Sequence, residues 1–157
     1  MPGEPLLLEI AALAVVIAGF TAVTAVLVPP GGAWHPAMRI RQRAVVSTSF
    51  NVMFEALAPS IVFAWLGDER AALTVASAGV ALYATGIVIW RGRQFLRAGG
   101  NPTPTTIVLF TLGPTATLLF WANALVFASV AVFAIALCIQ LSVAAVSFYS
   151  LVSAAQS

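Results

Sequence analysis

Arg39–Trp65 reads RIRQRAVVSTSFNVMFEALAPSIVFAW. A cluster of arginines runs straight into an apolar segment, and that segment carries one carboxylate, Glu55. The apolar part is long enough to cross a bilayer, whose hydrocarbon core takes about 20 residues of helix. Glu55 then falls about a dozen residues in, near mid-membrane, where an ionisable side chain is a functional-site hypothesis by default. A charge there costs about 2.5–3.5 kcal/mol on insertion scales, whereas each Leu, Ile, Phe or Val returns about 0.3–0.6. The ten such residues between 44 and 66 offset that cost by only about 3–6 kcal/mol. Insertion is therefore marginal unless neighbouring helices shelter the carboxyl.

On a helical wheel Ser47, Thr48, Asn51, Glu55 and Pro59 share one sector, with Ser47, Asn51 and Glu55 forming an i, i+4 row. Val46, Phe50, Met53, Leu57 and Ile61 lie on the other side, suited to lipid. The polar sector is expected to face other helices or a cavity. Pro59 cannot donate to the carbonyl four residues earlier, which belongs to Glu55. One residue thus presents a carboxyl and a freed backbone carbonyl at the same depth. Such backbone is tolerated where it is buried in protein or lines a cavity.

The rest of the chain supports the membrane reading. Of its 157 residues, 61% are hydrophobic and 8% charged, against roughly 45–50% and about 25% in soluble domains. Too little polar surface remains to coat a water-soluble globule. The expectation is one integral membrane domain over 1–157. All seven basic residues are arginines placed in short loops, which excludes the extended basic surface that nucleic-acid binding needs. Cys138 is the only cysteine and His35 the only histidine. No Cys/His cluster has metal-ligand spacing, and one chain cannot supply paired histidine ligands to a haem, so neither metal nor cofactor is expected.

Leu6–Val28 is too long for a signal-peptide core and lacks a positive flank, so it reads as a retained first span. Glu9 sits in its opening turns, where it reaches headgroups and favours the positive helix end. Pro29-Pro30-Gly31-Gly32 stops the helix, Trp34 suits interfacial depth and Pro36 starts the next helix. Small residues in span one (Ala11, Ala14, Ala18, Ala22, Ala25) and span three (Ala72, Ala76, Gly79, Gly86) mark packing faces. A Gly/Pro-rich loop runs from Gly99 to Pro104, with Thr103-Pro104 as a helix start. The apolar tract after it is too long for one crossing, and Trp121-Ala122-Asn123 is the best place for it to turn. The expected fold is an all-α bundle of five transmembrane helices at about 6–28, 44–66, 71–90, 105–121 and 124–149.

Arg39, Arg41, Arg43, Arg91, Arg93 and Arg97 all fall in the loops after spans one and three, beside anionic headgroups. By the positive-inside rule those loops are cytoplasmic, the N-terminus lies outside and the C-terminus inside. The expected location is the cytoplasmic (inner) membrane, as a multi-pass protein.

Gly113-Pro114, near the centre of span four, is a second interrupted helix, flanked by Thr111, Thr115 and Thr117. Broken helices at the midplane recur at transporter binding sites, and they are also common kinks without a ligand. In span five, Gln140 is placed to donate to Glu55 or to bond a backbone carbonyl. No G-x-S-x-G, serine–histidine pair or phosphate-cradling glycine loop is present, so no enzyme is expected. Two readings stand. One is a small proton- or cation-linked transporter or channel using Glu55 with Asn51, Thr48 and Ser47. The other is a non-transporting membrane subunit whose polar ladder is packing glue or a partner-binding face. The expected surroundings are the bilayer and either further copies of the chain or a membrane partner subunit.

Overall fold

A computed structural model describes Met1 and residues 3–26, 36–97 and 104–155, with side-chain surroundings for Met1, 3–23, 42–97, 105–150 and Val152. Its elements are α1 (Glu4–Val26), α2 (Pro36–Leu66), α3 (Glu69–Arg97), α4 (Pro104–Ala122), a π turn (Asn123–Phe127) and α5 (Val130–Ala155). The chain is a multi-pass membrane protein: each of the five helices is long and apolar enough to cross a bilayer. Helices are the economical solution in lipid because each satisfies its own backbone polar groups. Side-chain hydroxyls follow the same logic by bonding the carbonyl four residues back. Thr111 donates to Ile107 at 2.9 Å, Thr115 to Thr111 at 2.8 Å and Thr117 to Gly113 at 3.0 Å. The Pro29–Gly32 stop, Trp34, the Gly99–Thr103 loop and the side chains of Arg39 and Arg41 lie outside the described residues.

Helix adjacency decides the architecture. Helix α2 packs on α3, α3 on α4, α4 on α5, and α5 returns to α2. Among the described residues α2 and α4 make no close backbone approach. These four helices therefore form a ring in which α2 and α4, the two proline-bearing helices, face each other across the centre. Helix α1 lies outside the ring, chiefly against α2. Its inner face is Leu7, Ile10, Ala11, Ala14, Ala18 and Thr21, while Ala22 is exposed. In α3, Ala72 and Ala76 are buried as expected of a packing face, but Gly79 and Gly86 are exposed.

The short turns are well explained by local chemistry. Gly67 takes φ 67°, the left-handed conformation that ends α2, and its N–H donates to Phe63 O at 2.8 Å. Asp68 Oδ1 then accepts from Ala71 N at 3.0 Å, capping α3.

The second hairpin departs from expectation. The chain does not turn at Trp121–Asn123; the helix continues as a π turn to Phe127 and reverses at Ala128–Ser129. Asn123 is fully buried rather than at a bend. Its amide donates to Ser77 Oγ at 2.8 Å, and its Oδ1 accepts from Ser129 N at 2.8 Å. Trp121 lies seven residues before the reversal, roughly 10 Å from it along the helix. Its indole N–H donates to Thr85 Oγ1 at 3.1 Å. Asparagine and tryptophan are good turn and interface markers, but here their polar atoms are used to tie α4 to α3.

The reversal itself rests on Ala128 at φ 46°, ψ 47°. A left-handed residue with a Cβ is strained by roughly 1–2 kcal/mol, and a β-branched one by more. Ala128→Val is expected to lower stability by about 1–2 kcal/mol, and Ala128→Gly to leave it level or slightly raised. Thermal unfolding in nanodiscs checks both. Equal melting temperatures for the Val variant and wild type would mean that the reversal relaxes.

Candidate functional site

A cavity of about 180 Å³ lies inside the four-helix ring. Helix α2 contributes Thr48, Asn51 and Glu55, and α3 contributes Ala84, Ile87, Val88 and Arg91. From the opposite side α4 brings Leu109, Phe110, Gly113, Pro114 and Thr117, and α5 brings Gln140 and Val143. Part of this shape comes from α4: Pro114 removes one backbone bond from the helix, and Gly113, with nothing within 4 Å of where a Cβ would stand, leaves the space beside Pro114 open.

Glu55 is 7% exposed. The side chain of Gln140 lies within hydrogen-bonding reach of its carboxyl, joining α2 to α5. The second carboxyl oxygen, Oε2, and Gln140 Oε1 are both buried without a partner among the described residues. A neutral polar group left unpaired in an apolar setting costs about 1–3 kcal/mol, so two such atoms on residues that line one cavity mark a place for hydrogen-bond donors. Beyond Glu55, away from the arginine-bearing end, Ala56, Phe120 and Phe133 belong to the packed core. There the rings of Phe120 and Phe133 meet edge to face at 5.2 Å. The cavity runs from this plug towards Arg91.

The structure brings together Glu55, Asn51, Thr48, Gly113, Pro114 and Gln140, six positions singled out in the sequence. Pro59 is buried in α2 just beyond them and is not part of the lining. Ser47 does not join them: it is exposed, in line with Phe50, Phe54 and Ile61. Helix α2 touches α1, α3 and α5, so three neighbours cover most of its circumference and only this strip faces outward. Ser47 stands at the edge of the polar sector that overlaps the strip. Val46, Met53 and Leu57, expected against lipid, are half-buried for the same reason. Glu9 is exposed on α1, outside the ring.

Ser49 is fully buried, its Oγ without a partner among the described residues, and lies outside the cavity lining. One contributor to the cavity was missed. Arg91, read only as a topology signal, lines the cavity and is half-buried, while Arg43, Arg93 and Arg97 are exposed. The signal was present: Ala84, Ile87, Val88 and Arg91 are spaced as one helix face. Among the described residues no group of three His, Cys, Asp or Glu side chains gathers. Comparison with protein families, with curated proteins and with solved structures found no match to this chain.

Proposed function

We propose that the chain is a small proton-linked transporter of the cytoplasmic membrane, with Glu55 as the group that takes up and releases the proton. The observation that carries this reading is the position of Glu55: buried, with a free carboxyl oxygen, in a cavity ringed by four helices. Intramembrane carboxylates facing a cavity mark ion and proton pathways. Both facing helices contain a proline and run unbroken through it. The arginine-bearing end lies on the cytoplasmic side by the positive-inside rule, so the cavity is entered from the cytoplasm and the Phe120–Phe133 contact closes it from the outside. Binding and translocation then require no enzymatic chemistry. A self-associated form places the small residues exposed on α3, Gly79 and Gly86, between copies.

A second reading has its own support. Gln140 within reach of Glu55 is what a purely structural link between α2 and α5 looks like, worth about 0.6–1.7 kcal/mol in a membrane.

Occlusion separates the two. Reconstituted wild-type protein is expected to move protons into liposomes holding a pH-sensitive dye. Gly113→Phe, whose ring projects into the open space beside Pro114, is expected to reduce that movement to the protein-free background, whereas Gly113→Ala retains most of it. Gly113→Ala also gains helix propensity of up to about 1 kcal/mol, so lost activity there cannot be blamed on the fold. Wild-type liposomes no leakier than empty ones would remove the transport reading and leave the structural one.

A further inference from the structure

The cavity has two chemically different ends. At one, Glu55 Oε2 and Gln140 Oε1 are buried acceptors without partners. At the other is the Arg91 guanidinium, half-buried and paired with no carboxylate, since the ion pair found among the described residues joins Met1 N to Glu4. Thr48 to Glu55 on α2 and Ala84 to Arg91 on α3 each cover seven residues of lining, two turns of helix or roughly 10 Å. Between the ends most of the wall is apolar, made by Ile87, Val88, Leu109, Phe110 and Val143, with Asn51 and Thr48 as polar exceptions on α2. The volume, about 180 Å³, slightly exceeds that of an engineered cavity of roughly 150 Å³ that accepts benzene.

We infer that this cavity binds a small aliphatic amphoteric molecule, its ammonium on Glu55 and Gln140 and its carboxylate or phosphate on Arg91. This deepens the transport reading, on which it rests, by naming the class of cargo. The chemistry at each end is specific. With Glu55 in its ionised, proton-released form, two acceptors at the closed end call for a multi-donor group, and an ammonium brings three N–H donors and no acceptor. A guanidinium favours a planar, bidentate oxyanion. The mostly apolar walls between them suit methylene groups, and a polar chain would find only Thr48, Asn51 and Thr117 to pair with. Side-chain direction agrees, because α2 and α3 run antiparallel and side chains lean towards their own helix N-terminus. Glu55 and Arg91 therefore lean towards each other along the cavity. An aminophospholipid headgroup also carries both charges, but only a few bonds apart, whereas ε-aminocaproate separates them by five methylenes.

The test uses the whole protein in phosphatidylcholine nanodiscs, titrated by calorimetry with ε-aminocaproate, caproate and hexylamine. Wild type is expected to bind ε-aminocaproate more tightly than either single-ended compound. Arg91→Gln and Glu55→Gln should each weaken ε-aminocaproate roughly tenfold or more. Caproate should respond to Arg91→Gln alone and hexylamine to Glu55→Gln alone, so each variant keeps one ligand that reports an intact fold. No binding of ε-aminocaproate to wild type, or binding indifferent to both substitutions, overturns the proposal. So does binding that disappears when phosphatidylglycerol is added to the discs, which would assign Arg91 to a lipid headgroup. Proton movement without ε-aminocaproate binding sinks this inference and leaves the transport reading standing. Binding without proton movement does the reverse.

Discussion

Glu55→Gln is expected to abolish proton movement in reconstituted liposomes while changing stability by less than about 1 kcal/mol. Glutamine has nearly the shape of the uncharged acid and keeps an amide able to bond Gln140, so the α2–α5 contact survives. What it loses is the capacity to gain and release a proton. Glu55→Leu separates the roles further, since it removes both the proton and the hydrogen bond. It is expected to lose activity and about 0.6–1.7 kcal/mol of stability, with Gln140 left unpaired. Flux assays paired with thermal unfolding read both outcomes. Should Glu55→Gln transport as well as wild type, Glu55 has no part in the mechanism and the cavity must work through other groups.

The largest effect on stability is expected at Asn123. This side chain is fully buried and serves two partners, donating to Ser77 Oγ at 2.8 Å and accepting from Ser129 N at 2.8 Å. Asn123→Ala strands both, one a backbone N–H at the reversal between α4 and α5. Each buried group left unpaired costs about 1–3 kcal/mol, so a loss of about 2–4 kcal/mol is expected. The Ser77 share can be isolated with a double-mutant cycle of Asn123→Ala and Ser77→Ala, where a coupling of about 0.5–2 kcal/mol is expected. Additive effects in that cycle would mean that the α3 contact contributes nothing and that Asn123 acts only on the reversal. A melting temperature for Asn123→Ala equal to wild type would show that water or backbone relaxation replaces both bonds.

These two residues also show how far the sequence could be read. Glu55 stands out because a carboxylate costs several kcal/mol in hydrocarbon and nothing nearby in the chain relieves that cost. Its inward facing follows from energetics before any fold is known. Asn123 sends the opposite message from sequence alone. Beside Trp121 in a long apolar tract it reads as a bend at the interface, yet it is a buried link one helical turn short of the true reversal. Its partner Ser77 is 46 residues away, and no local pattern announces such a contact. Ala128, which does make the turn, has no turn propensity to be read.

The five apolar spans, the side on which the arginines gather and the inward bias of Thr48, Asn51 and Glu55 were legible from the sequence by itself. These depend on transfer energies of single side chains and on helical periodicity, which are local quantities. The tertiary structure decided which faces meet: the four-helix ring, the diagonal placement of α2 and α4, the outward turn of Ser47 and the entry of Arg91 into the cavity. In lipid every apolar face is equally well solvated, so hydrophobicity cannot say which one turns inward. Close packing, a few interhelical hydrogen bonds and the need to shelter one carboxyl make that choice, and they act between residues far apart in the chain.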